Sequence, residues 1–197
     1  MTLYPFLRRD PLDVRASTAE KARESLELRR RVLDELMPAL VAGAEAMAEA
    51  FRGGGRLFTF GNGGSSTDAR SVAELFTARG LPSVSLACDS ALVTALGNDV
   101  GFEVVFARQL AALGGAGDIA CALSTSGGSP NVLHGLAQAR SLGMVTVGFA
   151  GSGGGRMAQE GLAEHLYVVP SSSVHRIQEA QTTLYHVLAD LVSADAR

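Results

Sequence analysis

Short apolar runs alternate with stretches of helical character over most of the chain after residue 55. The runs are continuously apolar, as in strands that are buried on both faces of a parallel sheet. The segments predicted as strands are 56–60, 82–87, 118–124, 144–150 and 165–169, and those predicted as helices are 65–79, 91–96, 102–113, 130–142, 156–163 and 174–192. The pattern therefore predicts an α/β fold with a parallel sheet between two layers of helices.

A long helix is predicted before the first strand, over residues 17–52, where Ala, Leu, Glu and Arg dominate. Pro38 predicts a kink or a break within it, and the glycines at 53–55 end it. Its apolar positions lie on more than one face, which favours packing between subunits over packing on its own domain alone. They are Leu26, Leu28, Val32, Leu33, Leu36, Leu40 and Val41. Residues 1–16 are expected to form a loosely ordered tail before a single domain at 17–197.

Composition and charge argue against a nucleic-acid-binding, a membrane or a secreted protein. The 197 residues carry a formal net charge of −3 and are 47% hydrophobic, so a full core is expected and no basic patch favours nucleic acid. No apolar stretch is long enough to span a bilayer, and the start of the chain lacks the pattern of a signal peptide. Cys88 and Cys121 have no metal-binding or disulfide spacing. The chain is therefore predicted to be cytoplasmic, with no membrane or nucleic-acid partner.

Candidate chemistry is concentrated in loops that follow predicted strands, where open parallel sheets bind their ligands. The first loop, Gly61-Asn62-Gly63-Gly64-Ser65-Ser66, opens a helix, and three glycines exceed the need of an ordinary turn. Glycines let the backbone approach a ligand, and a helix start offers free N–H groups to an anion. The Walker and dinucleotide patterns are both absent, so the loop is interpreted as a different kind of anion-binding loop.

The second loop, Ser124-Thr125-Ser126-Gly127-Gly128-Ser129, precedes Pro130 at the start of another helix. Helix capping needs one hydroxyl, whereas this loop has four. Hydroxyl and N–H donors can hold a phosphate without a lysine, so a phosphate site is predicted.

Two further places carry polar candidates. Asp89 follows the strand predicted at 82–87, where it can accept hydrogen bonds from sugar hydroxyls or cap the next helix, and spacing does not decide between these roles. Gln178, Thr182 and His186 form one stripe on the last helix. A single helical histidine is more often structural than catalytic, and His175 at the start of that helix is a second candidate.

Five segments together resemble the sugar isomerase (SIS) domain and, within it, the phosphoheptose isomerase family. They are GNGGSSTDA (61–69), GNDVGF (97–102), FARQL (106–110), GDIACALSTSGGSPNV (117–132) and RIQEAQTTLYHVL (176–188). The resemblance extends from about residue 20 to the C-terminus. It implies a flavodoxin-like five-stranded parallel sheet with an N-terminal helical extension. It also implies a homotetramer with active sites between subunits, and isomerisation of sedoheptulose 7-phosphate to D-glycero-D-manno-heptose 7-phosphate.

Roles follow from the resemblance position by position. His186 matches the catalytic histidine, and Gln178 matches a residue that binds zinc together with histidines in some members. The matched phosphate and sugar contacts are Asn62, Gly63, Ser65, Asp89, Ser124, Thr125, Ser126, Ser129 and Gln178.

The helix after the first loop departs from the family pattern. Aligned without a gap, Ser71 replaces the metal-binding histidine and Leu75 replaces the catalytic glutamate. Glu74 is the nearest carboxylate, rotated by roughly 100° on a helix, and is predicted to take over the role together with His186. A zinc site with only Gln178 and His186 as ligands is incomplete, so no cofactor is expected, and zinc, if it binds, is predicted to bind weakly.

Three interpretations remain open at this point. The first is an aldose–ketose isomerase acting on a seven-carbon sugar phosphate. The second is a noncatalytic sugar-phosphate-binding regulator or scaffold, which the replacements at Ser71 and Leu75 favour. The third is another enzyme of the superfamily, such as an etherase or an aminosugar isomerase.

Overall fold

The computed structural model describes residues 11–196, with side chains from Arg15 onward. Five parallel strands form one sheet in the order β2-β1-β3-β4-β5. The strands are β1 (Leu57–Gly61), β2 (Ser83–Ser85), β3 (Ile119–Ser124), β4 (Val145–Gly151) and β5 (His165–Val169). The helices are α1 (Pro11–Arg52), α2 (Gly64–Thr77), α3 (Ser90–Asp99), α4 (Val105–Leu113), α5 (Pro130–Ser141), α6 (Gly155–Gln159) and α7 (Val174–Asp195). The predicted doubly wound architecture is thus confirmed.

Two apolar layers enclose the sheet because successive side chains of each strand point to opposite faces. Leu57, Cys121 and Phe149 pack against α1, α2 and α7. Phe60 and Ala122 pack with α4, α5 and α6 on the other face. The three central strands, β1, β3 and β4, are buried on both faces, which explains why they are almost continuously apolar in sequence.

The predicted element boundaries need correction at several places. Helix α1 begins at Pro11 and runs unbroken through Pro38, so a break there was the wrong prediction. Pro38 is exposed, so water can solvate the carbonyl that the missing N–H leaves free. The predicted tail at 1–16 falls partly on residues outside the described part of the chain.

Strand β2 is also shorter than predicted, with three residues instead of six. It is an edge strand that pairs with β1 alone within the described residues. Pro82 precedes it, and a proline has no N–H to extend the ladder. The helix predicted at 156–163 ends at Gln159, and the segment at 102–104 forms a 3₁₀ turn before α4.

Candidate active site

Two helices begin at the carboxyl ends of neighbouring strands without a side-chain cap. Gly63 precedes α2, which follows β1, and Ser129 precedes α5, which follows β3. In the described chain, neither cap residue has a side-chain hydrogen bond to the helix that it precedes. The first N–H groups of a helix need partners, and an anion can supply them. The arrangement therefore favours an anion between the two helix starts.

Three hydroxyls of the second loop converge on one point. The Oγ of Ser124 lies 3.1 Å from the Oγ of Ser129 and 3.5 Å from that of Ser126. Ser124 is buried, with 4% of its surface exposed, whereas Ser126 is exposed and Thr125 is half-buried. Since each hydroxyl can rotate to donate outward, the cluster can bind the oxygens of a phosphate.

A reciprocal pair of amides joins the first loop to the second. Asn62 Nδ2 donates to Asn131 Oδ1 over 2.8 Å, and Asn131 Nδ2 donates to Asn62 Oδ1 over 2.9 Å. Asn131 is buried in the first turn of α5. The sequence analysis did not single out Asn131, although it lies in the matched segment 117–132. Its effect is to hold both loops at a fixed separation.

Gly127 allows a third loop to pack against the hydroxyl cluster. Its φ is +61°, and a Cβ added there would lie 2.0 Å from the carbonyl oxygen of Gly154. The carbonyl of Gly127 also accepts a hydrogen bond from the N–H of Met157. Only glycine fits such an approach at this φ.

Asp89 is placed differently from the other predicted contacts. Its carboxylate accepts a hydrogen bond from the N–H of Leu92 over 2.9 Å and so caps α3. Capping was the second role that its spacing allowed, and a substrate contact for Asp89 stays a prediction.

A cavity of about 390 Å³ lies between α2 and α7, with Arg29 of α1 at its margin. We refer to it as the α2–α7 cavity. Gln178 projects from α7 across its mouth, and the Nε2 of Gln178 donates to Asp68 Oδ2 over 2.9 Å. A Cβ added at Gly64 would lie 2.4 Å from the same Nε2. Gly64 therefore lets Gln178 lie against the first turn of α2.

The carboxylate of Asp68, on α2, lines the α2–α7 cavity. The sequence analysis did not identify Asp68 as a site residue. Burial raises the pKa of Asp68, and the hydrogen bond from Gln178 opposes that rise. The signal in the sequence was its position four residues after Gly64, which puts both on one helix face.

Glu74 lies on another face of α2. It lines a separate cavity of about 880 Å³ between α2 and the edge strand, together with Ser85 and Cys88. We refer to this as the α2–β2 cavity. Glu74 is exposed and accepts a hydrogen bond from the Nε of Arg70 over 2.7 Å. The structure therefore does not bring Glu74 together with Gln178, and a catalytic role for Glu74 stays a prediction.

The two family replacements face α7, as the ungapped alignment implies. Leu75 packs against the apolar layer beneath α1 and α7. The hydroxyl of Ser71 lies near that of Tyr185, where it opposes the rise in the pKa of Tyr185. Burial raises the pKa of Tyr185, so its hydroxyl stays protonated.

His186 is exposed on α7, and its ring stacks on that of Tyr185 with a centroid separation of 5.3 Å. It lies eight residues beyond Gln178, which corresponds to about 12 Å along a helix axis. His186 is presented to solvent.

Comparison with known proteins places this geometry in a family. A family model described as the SIS domain matches residues 22–151. The chain is 42% identical over 174 residues to the phosphoheptose isomerase of Roseiflexus sp. (strain RS-1), a match that spans 85% of this chain and 87% of the relative.

The chain belongs to the phosphoheptose isomerase family. The resemblance inferred from the sequence is thereby confirmed.

Solved phosphoheptose isomerases have the same fold. The structure from Neisseria gonorrhoeae aligns with a TM-score of 0.88 at 33% identity, over 92% of this chain and 99% of that one. The structure from Francisella tularensis aligns with a TM-score of 0.84 at 32% identity, over 94% and 100% of the two chains. The flavodoxin-like sheet with a long N-terminal helix is therefore a shared feature.

The zinc that some members of the phosphoheptose isomerase family bind does not fit the residues present here. Leu75 offers no donor atom, Ser71 stands where the family has a metal-binding histidine, and Gln178 is engaged with Asp68. Within residues 11–196, no three His, Cys, Asp or Glu side chains are grouped closely enough to hold a metal ion. We therefore derive no chemical step through a metal.

The described helices lack the features of a membrane span. None of those between residues 11 and 196 combines the length and the apolar character that crossing a bilayer requires.

Proposed function

We propose that the protein is an aldose–ketose isomerase that converts sedoheptulose 7-phosphate to D-glycero-D-manno-heptose 7-phosphate. The observation that carries the proposal is the cluster of hydroxyls of Ser124, Ser126 and Ser129 before α5, beside a second helix start that has no side-chain cap. Relatives named phosphoheptose isomerase that match most of the chain support the same activity.

The phosphate is proposed to lie between the starts of α2 and α5. Neutral N–H and hydroxyl donors suit this role, because each can point toward a phosphate oxygen and the helix dipoles favour negative charge. The proposed contacts with phosphate and sugar are Asn62, Gly63, Ser65, Asp89, Ser124, Thr125, Ser126, Ser129 and Gln178.

The reaction requires one group that moves a proton between neighbouring carbons and one that manages the proton on oxygen. Two carboxyl groups on α2 are candidates for the first role, the predicted Glu74 and Asp68. His186 is proposed to act in the site of a neighbouring copy, since it is exposed and distant from Gln178.

A homotetramer is part of this proposal. On α1, Leu26 is 68% exposed and Val41 is 39% exposed, while Val32 on the same helix is buried. Large apolar side chains on a second face favour an interface with another subunit. Size-exclusion chromatography with light scattering should give about four times the mass of the chain, and a monomer would contradict this part.

A cytoplasmic location and independence from metal complete the proposal. Both cysteines are free thiols, which suits a reducing compartment. Activity should survive dialysis against a chelator, and loss of activity that zinc restores would contradict metal independence.

The experiment that tests the activity is conversion of sedoheptulose 7-phosphate by the purified protein, followed by NMR. We expect formation of the heptose 7-phosphate, with sedoheptulose lacking the phosphate as a poor substrate. Tight binding without conversion would instead indicate a noncatalytic sugar-phosphate-binding protein. The comparisons do not favour that alternative, because the matched relatives bear the name of an isomerase.

A further inference from the structure

The position of the carboxylates on α2 raises the question of which one meets the sugar. A helix advances by about 100° per residue, so Asp68 and Glu74 project about 120° apart. Asp68 faces the α2–α7 cavity and Glu74 faces the α2–β2 cavity. A single sugar bound at one place therefore meets only one of them.

The α2–α7 cavity is continuous with the start of α2. Gly64 lines it, and Gly64 belongs to the loop proposed to hold the phosphate. Asp68 lies one helical turn further, about 6 Å along the axis. A sugar anchored by a phosphate at the helix start thus has Asp68 within its reach, on the wall that Gln178 also lines.

The exposure and the bonding partners of the two carboxylates also favour Asp68 over Glu74 as the group that meets the sugar. Glu74 is exposed and already paired with a cation, Arg70, as is typical of a surface ion pair. Asp68 is half-buried and receives a neutral amide N–H, so it can exchange a proton at lower cost. The charged groups facing Asp68 across the cavity are Arg29 from α1 and His175 and Glu179 from α7.

We propose that Asp68 is the catalytic carboxylate that carries the proton between the two carbons of the sugar, an inference that rests on the proposed isomerase function. The Asp68 carboxylate takes the proton from the hydroxyl-bearing carbon beside the carbonyl. The C–H electron pair forms the carbon–carbon double bond, and the carbonyl oxygen takes a proton from the ring of His186 of a neighbouring copy. Asp68 then returns its proton to the other carbon, while the second hydroxyl gives its proton to the same His186 ring, so atoms and electrons balance.

The decisive variant is Asp68→Asn. The amide oxygen of asparagine can still accept from Gln178 Nε2, so the variant keeps the position of Gln178 and removes only the proton acceptor. A purely positioning role for Asp68 therefore predicts nearly full activity, and a catalytic role predicts its loss. Asp34→Asn is the matched control, since Asp34 is exposed on α1.

The measurement is conversion of sedoheptulose 7-phosphate in D₂O, with NMR following both product and exchange of the carbon-bound proton. We expect Asp68→Asn to lose conversion and exchange by about 10²–10⁴-fold, the range for removal of a general base. Calorimetry should show sedoheptulose 7-phosphate binding within about threefold of wild type, and Asp34→Asn should match wild type.

The other outcomes contradict either the role of Asp68 or the isomerase function itself. If wild type and Asp68→Asn are both active, the catalytic role of Asp68 is wrong but the proposed isomerase function stands. Loss of exchange in Glu74→Gln would strengthen that conclusion. A wild type that neither converts nor exchanges overturns the proposed function and the assignment with it. Should Asp68→Asn fail to fold, the pH profile of wild-type kcat/KM decides: an acidic limb above the ordinary aspartate value of 3.8 is expected, and its absence overturns the assignment.

Discussion

Helix α2 presents one carboxylate to each of two cavities, and the two cavities hold their carboxylates in opposite ways. In the α2–α7 cavity, Asp68 is half-buried, receives a hydrogen bond from the Gln178 amide and has a raised pKa. In the α2–β2 cavity, Glu74 is exposed and paired with Arg70. Burial without a paired cation favours proton exchange at Asp68, whereas Glu74 lies in solvent beside the guanidinium of Arg70.

A residue next to a replaced catalytic residue in the sequence does not necessarily take over its role. Glu74 adjoins Leu75 in the chain, yet helix geometry turns it toward a different cavity. Asp68 is seven residues from Leu75, and two turns of helix bring it to the same side, against α7. Variants on the two faces of α2 should therefore behave differently.

The largest difference is expected from Gly64→Ala. The added Cβ would lie 2.4 Å from Gln178 Nε2 and would displace the Gln178 side chain from Asp68. We expect kcat/KM for sedoheptulose 7-phosphate to fall by tenfold or more, with a loss of stability no larger than that of Gln178→Ala, because the displaced group is the end of a flexible side chain. Steady-state kinetics and thermal unfolding measure the two quantities.

Gly115→Ala is the matched control for this prediction. A Cβ added at Gly115 has no heavy atom of the described chain within 4 Å, and we expect wild-type kcat/KM. If Gly64→Ala also kept wild-type kcat/KM, the position of Gln178 would not matter for catalysis.

A smaller effect, on stability, is expected from Gln178→Ala. The variant leaves the half-buried Asp68 carboxylate without its amide donor, and the free energy of unfolding should fall by about 1 kcal/mol. Arg70→Ala removes an exposed ion pair on the other face and should leave the urea midpoint unchanged. Urea titrations at pH 7 test both, and the reverse ranking would contradict the comparison.

A weaker effect concerns the pH dependence of stability. Because the pKa of Asp68 is raised by folding, its stabilising contribution is present below the unfolded pKa and is lost as pH rises through the folded pKa. Asp68→Asn should therefore gain stability relative to wild type as pH rises above the ordinary aspartate value of 3.8 toward neutrality. Urea midpoints of both proteins across this range measure the gain, and a constant difference would argue against a raised pKa.

The smallest perturbation is alkylation of the thiols, which probes access to the α2–β2 cavity. Cys88 is exposed there, whereas Cys121 is buried in β3 and burial raises its pKa to about 12. We expect native protein to take up one label, at Cys88, and unfolded protein to take up two. Mass spectrometry counts the labels, and two labels on native protein would show that the core opens.

Much of this molecule was predictable from local patterns. The apolar runs and the glycine- and serine-rich loops predicted all five strands in order, because a strand buried on both faces needs continuous apolar residues. The loops at 61–66 and 124–129 were likewise predictable as sites, since glycines and hydroxyls at helix starts suit an anion. The motifs carried enough information to identify the family.

The tertiary structure alone decided which side chains face each other. Asn62 pairs with Asn131, which lies 69 positions later in the chain, and Asp68 pairs with Gln178, which lies 110 positions later. No local sequence pattern predicts contacts over such separations. Capping of α3 by Asp89 was one of two roles that its spacing allowed. The same reason applies to α2: sequence places Asp68 and Glu74 on one helix, but which face is buried depends on how that helix packs between α7 and the edge of the sheet.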